Sequence, residues 1–267
     1  MQASPTTPIS LNSSWKETLA APRSGSHILQ IYDNQDFLAA AVAHFAAEGL
    51  RRGEAVILTG TKEHRHRIRA ELHARGVDAA AAAHRRQLAF ADVHQALGAA
   101  SIGGRVDPEQ LQQVALHTLH AVNPEAPGVR WWGEHSSTLY YQGHRASALA
   151  AEAGATETLG KRGVTLLCSF LYDRFDPQGY GGVLNDMCCA HSHLIPAEDY
   201  VRHRMAVNRA ITEVLGGLRG TLLQSLASWK GLGCELPSSQ AVLFWLRETL
   251  PDHFEEVLAR ARAYHAT

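Results

Sequence analysis

The densest group of metal-binding residue types in the chain is the run CCAHSH at residues 188–193. Cysteine thiolate and histidine imidazole are the ligands that zinc and copper(I) prefer. The spacing does not match C-x₂-C paired with H-x₃₋₅-H, and a helix end that buries one thiol against the core explains the two adjacent cysteines more simply. The run remains a candidate zinc or copper site formed by Cys188, Cys189, His191 and His193, with His135 or Cys168 as ligands from outside it.

A second group of polar residues lies in or directly after predicted strands. Because the carboxyl ends of parallel strands meet at one edge of a sheet, this edge is the expected place for a ligand. The expected ligand-binding residues are Tyr32, Asp33, Thr59, Asp92, Glu134, His135, Cys168 and Tyr172. Their carboxylates, imidazole, hydroxyls and rings suit a small polar or aromatic molecule. The alternative is that these side chains cap strands and satisfy loop backbone, with Glu134 paired to an Arg of a neighbouring loop.

Motifs for catalysis are missing from the sequence. The junction after the first predicted strand reads YDNQDF at residues 32–37, with two carboxylates and neither the Gly nor the Lys of G-x-x-x-x-G-K-[ST]. ATP is therefore not expected through a Walker A loop. G-x-S-x-G, H-E-x-x-H and the haem motif C-x-x-C-H are absent as well. The sequence favours binding or sensing over catalysis.

Alternating strand and helix patterns position these residues. Strands are predicted at 27–32, 55–59, 88–93, 129–134 and 164–170, and helices at 37–50, 62–75, 108–122 and 146–159. This alternation predicts an α/β fold, with a mostly parallel sheet covered by helices on both faces.

The pattern becomes all-helical after Pro196. A long helix is expected over 197–229 with a break near Gly216-Gly217, followed by helices that end near Glu248 and Tyr264. Three parts are therefore predicted: a flexible N-terminal arm (1–26), an α/β domain (27–196) and a helical dimerisation or output segment (197–267).

Composition describes an ordinary globular chain of 267 residues, 45% of them hydrophobic. The 25 Lys and Arg nearly balance the 26 Asp and Glu, so no global charge attracts nucleic acid or membrane. No secretory leader pattern opens the sequence and no apolar run approaches the ~20 residues of a membrane span. A cytoplasmic protein without membrane contact is expected.

Several short matches lie in a consistent order along residues 26–196. They are HILQIY at 27–32, Gly53-Glu54, Asp92, Arg130-x-x-Gly133-Glu134, Cys168 and HSHLIP at 191–196. In this order they resemble the bacterial MEDS sensory domain of DcmR-type regulators of methylotrophs and of methanogen sensors. Phe170 departs from the pattern, in which Tyr is expected two residues after Cys168.

The stretch from Glu48 to Leu58 is similar to the helix-to-strand passage of KaiC/RecA-type ATPases. The MEDS resemblance accordingly implies a KaiC-like scaffold without a P-loop, catalytically silent and joined to transcription-factor or kinase modules.

Residues 222–262 are similar to phage-terminase-like helix–turn–helix domains. Under that resemblance Ser238, Ser239 and Gln240 would face a DNA major groove. Residues 197–267, however, carry eight Lys and Arg against eight Asp and Glu, whereas DNA readers usually show a basic excess. Dimerisation or partner binding is favoured over DNA contact.

The sequence thus predicts a non-enzymatic bacterial signal-transduction protein. It would bind a small ligand at the strand carboxyl ends, form a homodimer and regulate transcription, a kinase or the transcription machinery. The alternative is a metal- or redox-responsive regulator that uses residues 188–193.

Overall fold

The computed structural model describes residues 15–227 and 236–267. Its centre is a parallel sheet of six strands in the order β3-β2-β6-β7-β1-β8, and two further short strands, β4 and β5, pair as an antiparallel hairpin. The strands are β1 His27–Tyr32, β2 Ala55–Gly60, β3 Leu88–Asp92, β4 Ser101–Ile102, β5 Arg105–Val106, β6 Val129–Gly133, β7 Val164–Leu171 and β8 His193–Leu194. Every residue of β1 and β2 is buried, as expected for strands covered on both faces. The predicted fold class is confirmed.

Helices surround this sheet and form the C-terminal region. They are α1 Trp15–Ala20, α2 Gln35–Arg51, α3 Lys62–Ala74, α4 Ala79–His84, α5 Val93–Ala99, α6 Pro108–Leu119, α7 His135–Tyr141, α8 Arg145–Thr158, α9 Val183–Ala190, α10 Tyr200–Leu215, α11 Gly217–Ala227, α12 Ser238–Thr249 and α13 Pro251–His265. Several start where a side-chain oxygen accepts a first-turn N–H, as Asn34 does for α2 and Asp107 for α6. Within the described ranges, no helix combines the length and apolar character that crossing a bilayer requires.

The break predicted near Gly216-Gly217 separates α10 from α11. Gly216 has φ +81°, a conformation that residues with a Cβ rarely adopt. The end of the predicted helix over 197–229 and part of the helix–turn–helix resemblance lie in residues 228–235, outside the described residues.

The two faces of the sheet are covered by different helices. Ile28, Leu58 and Trp132 point to the face covered by α1 to α4. On the opposite face, Trp131 and Leu166 pack under α6 and α8. The rest of that second face carries the C-terminal helices.

The C-terminal helices share a hydrophobic core with the sheet. Leu29 of β1 and Phe170 of β7 belong to the same buried cluster as Val207 of α10, Leu243 of α12 and Val257 of α13. The boundary predicted near residue 196 is therefore a change of secondary structure inside one core.

The prediction of a loose arm is wrong for residues 15–26. Trp15 and Leu19, one helical turn apart on α1, are buried against α2. The carbonyl of Leu19 accepts a hydrogen bond of 2.8 Å from the buried guanidinium of Arg130, which also pairs with Glu54. The predicted arm residues 1–14 lie outside the described part of the chain.

Candidate functional site

A cavity of about 60 Å³ lies between the sheet and helices α6 and α8. Its walls are mostly apolar or small: Pro108, Leu111, Ala115, Trp131, Gly133, Ala151, Gly154, Ala155, Leu159 and Leu166. The polar lining residues are Gln112, His135, Ser136, Glu152, Thr158 and Cys168. A cavity of about 150 Å³ holds benzene, whereas drug-sized ligands occupy roughly 300–1,000 Å³. This space fits a molecule of a few heavy atoms and excludes a nucleotide.

Small residues create this space. Gly133 ends β6 without a side chain, and Ala151, Gly154 and Ala155 present little bulk on α8. A Cβ placed on Gly154 would lie 2.6 Å from Nε2 of Gln112, so α6 and α8 approach closely at one end of the cavity. Larger residues on this part of α8 would fill the cavity or push the helices apart.

Four side chains with metal-binding atoms meet beside the cavity. We call His27, Glu152, Cys168 and His191 the buried cluster; one ligand atom from each lies within 4.8 Å of those of the others. Nε2 of His27 is 3.0 Å from Oε2 of Glu152 and 3.2 Å from Sγ of Cys168. The same carboxylate oxygen is 3.5 Å from Cys168 Sγ and 3.5 Å from His191 Nε2. Two members, Glu152 and Cys168, also line the cavity.

The hydrogen bond at the far side of the His191 ring fixes its tautomer. Nδ1 lies 2.6 Å from the carbonyl oxygen of Met187, which can only accept, so Nδ1 carries a proton. Burial, aided by neighbouring His27, lowers the pKa of His191 to about 4, and the ring is therefore neutral at pH 7. Its Nε2 consequently presents a lone pair to the cluster and has no hydrogen-bond partner among the described residues.

His27 is held in a similar way. Its Nδ1 lies 2.7 Å from the hydroxyl of Thr156, and that hydroxyl donates a hydrogen bond of 3.2 Å to the carbonyl of Glu152. Nε2 of His27 lies 3.0 Å from Oε2 of Glu152, and a hydrogen bond from this ring to the carboxylate helps to keep the pKa of Glu152 low.

The two other members of the cluster differ in protonation. Burial raises the pKa of the Glu152 carboxyl, but the imidazoles of His191 and His27 outweigh it and lower that pKa to about 2. Burial and the adjacent Glu152 carboxylate raise the pKa of the Cys168 thiol. The cluster can thus act as a buried hydrogen-bond network, or as a set of N, O and S ligands for a metal ion.

Comparison with protein families identifies the region that contains this site. A family model described as "MEthanogen/methylotroph, DcmR Sensory domain" (MEDS) matches residues 26–192. The chain belongs to the MEDS family. This is a sensory-domain family, and membership in it is compatible with a sensory role in signal transduction. No curated protein compared with the chain matches it. The KaiC/RecA relation remains a prediction.

All four residues of the buried cluster lie within the MEDS match. Two of the eight residues that the sequence assigned to ligand binding, His135 and Cys168, line the cavity of the MEDS domain. Burial lowers the pKa of His135 to about 4, so this imidazole is neutral at pH 7.

Three predicted residues lie elsewhere near the strand ends. Glu134 is buried, with Oε1 2.6 Å from His64 Nδ1 and Oε2 accepting 3.0 Å from the Thr61 N–H. The alternative interpretation of Glu134 expected an Arg of a neighbouring loop as its partner. This is wrong, because the partner is His64. Tyr32 is buried near Glu134, and burial together with the Glu134 carboxylate raises the pKa of its phenol. Thr59 accepts a hydrogen bond of 3.0 Å from the Trp131 indole.

Asp33, Asp92 and Tyr172 serve local structure. Asp33 pairs with Arg174 at 3.3 Å, and Asp92 caps α5. The Tyr172 hydroxyl donates to the carbonyl of Asp176 at 3.3 Å. The eight residues therefore do not form one pocket beyond the strand ends, and the cavity lies against a face of the sheet instead.

The structure does not bring the four residues of the predicted metal set together. Cys188 lies in the apolar core, Cys189 is exposed, and His193 contacts Ser192 Oγ at 2.7 Å. Only His191 joins the buried cluster. The simpler explanation of the cysteine pair is confirmed, because α9 ends at Ala190 and buries one of the two thiols.

Proposed function

We propose that this MEDS-family protein is a non-enzymatic sensor of a compact, mostly apolar molecule bound in the cavity between the sheet and helices α6 and α8. The observation that supports this proposal is the cavity itself, about 60 Å³ in volume, with small and apolar walls and a few polar groups at His135, Glu152 and Cys168. Such a lining selects a ligand by size and apolar contact, and the polar groups orient it.

The route of the signal follows from the position of α8. This helix carries the cavity wall at Ala151 and Ala155 and also carries Glu152, whose carboxylate contacts His191. His191 directly follows α9 and leads through β8 into α10. A ligand that binds better to one position of α8 makes that position more populated. Because Glu152 of α8 contacts His191, the position of His191 and of the start of α10 should change with it.

The proposed output surface is on α10 and α11. Val201, Met205, Leu218 and Leu222 are large apolar side chains with exposed fractions of 56–80%. A second copy of the chain is the proposed partner, and a kinase or the transcription machinery would respond to the dimer.

Direct DNA contact is less well supported. Ser239 and Gln240, which the helix–turn–helix resemblance would turn to the major groove, are 1% and 4% exposed. Ser239 Oγ instead contacts His203 Nδ1 at 2.9 Å. Packing of α12 on α10 covers these two side chains, and this burial does not support their contact with a major groove.

The sensor proposal is tested by filling the cavity. Ala155→Val places two further methyl carbons in it, whereas Ala80→Val makes the same change on the exposed surface of α4. Thermal unfolding is measured with a panel of molecules of a few heavy atoms. The wild type and the Ala80 variant should be stabilised by the same compounds, and the Ala155 variant should lose that response. An unchanged response in Ala155→Val would contradict binding in the cavity.

A further inference from the structure

The ligand atoms of the buried cluster are spaced like those of a metal site. Zinc–ligand bonds of roughly 2.0–2.3 Å place neighbouring ligand atoms of a tetrahedral site about 3.3–3.7 Å apart. The four close pairs in the cluster measure 3.0, 3.2, 3.5 and 3.5 Å. Small side-chain movements therefore suffice to place an ion among the four atoms.

One buried nitrogen of the cluster lacks a hydrogen-bond partner. Nδ1 of His191 donates to the carbonyl of Met187, and its Nε2 lies 3.5 Å from Oε2 of Glu152 without a hydrogen-bond partner among the described residues. A buried nitrogen without a donor costs free energy, and a cation among these atoms removes that cost.

The charges of the site also balance around a divalent ion. Glu152 supplies one negative charge, Cys168 supplies a second when its thiol loses its proton to the solvent on metal binding, and the two imidazoles are neutral ligands. The sum of −2 in a site that is almost closed to solvent is neutralised by one divalent cation.

Contacts behind the imidazoles resemble those of known metal sites. Metal-binding histidines usually donate their second ring N–H to a carbonyl or another oxygen, which fixes the ring. His191 does so to the carbonyl of Met187, and His27 has the hydroxyl of Thr156 in the corresponding place.

We propose that His27, Glu152, Cys168 and His191 bind one divalent transition-metal ion of the zinc class. Mixed imidazole, thiolate and carboxylate ligands in a four-coordinate arrangement suit zinc, whereas magnesium and calcium select oxygen ligands. The ion connects β1, β7, α8 and the residue after α9, so it holds the wall of the cavity to the start of the C-terminal helices. This proposal does not depend on a ligand in the cavity.

The test uses the full, untagged chain, stripped of metal with a chelator and titrated with Zn²⁺ and Co²⁺. We expect one ion per chain, and for Co²⁺ the near-ultraviolet charge-transfer band of a thiolate ligand. Cys168→Ser should abolish this band, and His191→Gln should weaken Zn²⁺ binding at least 100-fold. The matched controls Cys189→Ser and His193→Gln change the same residue types in the neighbouring run and should bind as the wild type does.

A measurement on the wild type alone covers variants that fail to fold. X-ray absorption of the zinc-loaded protein should show one sulfur and three nitrogen or oxygen neighbours. Two sulfur neighbours, a thiolate band that survives Cys168→Ser, or the absence of stoichiometric binding would each overturn the proposal. A bound organic molecule without metal would leave the sensor proposal standing and refute this one.

Discussion

Lowering the pH should destabilise the protein through His203, a buried neutral imidazole that connects two C-terminal helices. His203 of α10 is fully buried, and its Nδ1 contacts Ser239 of α12 at 2.9 Å. Burial, with smaller contributions from Arg174 and His265, lowers its pKa to about 3 although Asp199 acts in the opposite direction.

The sign and size of the effect follow from this lowered pKa. In the unfolded chain the histidine has a pKa near 6.5, so between about pH 6.5 and 3 the unfolded state binds a proton that the folded state does not. The contribution of His203 to stability is therefore complete above pH 6.5 and is lost as the pH falls. Between pH 7 and pH 5 the free energy of unfolding should fall by about 2 kcal/mol through this residue alone.

The assay is urea unfolding at pH 7 and pH 5 for the wild type, His203→Gln and His73→Gln. His135 and His191, which also have lowered pKa values, contribute equally to all three proteins. The wild type should lose about 2 kcal/mol more than His203→Gln between the two pH values. His73 is exposed on α3, and its variant should follow the wild type. Equal losses in the wild type and His203→Gln would refute the reasoning.

Three further predictions concern packing and assembly. Arg130→Met removes a buried guanidinium and leaves its partners unpaired, so it should lower the free energy of unfolding by about 3–5 kcal/mol. Arg67→Met breaks an exposed ion pair and should lower it by at most about 1 kcal/mol. Urea unfolding measures both changes. Gly60→Ala should destabilise the protein by about 1–3 kcal/mol in thermal unfolding, because its Cβ would lie 2.5 Å from an indole carbon of Trp132. The control Gly98→Ala meets no atom within 4 Å and should stabilise its helix slightly. Met205→Lys, on the proposed dimer surface, should convert a dimer into a monomer in light scattering.

Each of these predictions has a contradicting result. Equal destabilisation by the two arginine variants would mean that the buried ion pair contributes no more than a surface pair. A stable Gly60 variant would mean that the neighbouring indole can move at little cost. A monomeric wild type, or a dimeric Met205 variant, would refute assembly through α10 and α11.

The sequence predicted the main elements of the fold because their signals are local. β1 contains Ile28, Leu29 and Ile31, β2 begins with the apolar run AVIL, and α2 and α6 start at side chains that cap them. Helix α7 was not predicted, because it follows β6 directly and lacks a side-chain cap. α1 was taken as part of a loose arm, since its packing against α2 and its hydrogen bond from Arg130, more than 100 residues later, leave no local signal.

The site was less predictable because its contacts are long-range. Cys168 and His135 stood out as polar residues on or after strands. The family resemblance included His27 and Cys168, which are 141 positions apart, but it did not indicate that their side chains meet. Nothing in the sequence distinguished Glu152 within an Ala-rich helix. The short spacing of residues 188–193 suggested a metal site there, but the end of α9 sends their side chains in different directions.

Native mass spectrometry of the untagged wild-type protein, before and after mild denaturation, tests the central claim most directly. The account predicts a small organic mass that accompanies the folded chain and leaves when the cavity opens on denaturation. A folded chain that carries no organic mass, even after exposure to the compact molecules of the thermal-unfolding panel, would contradict a ligand-sensing cavity.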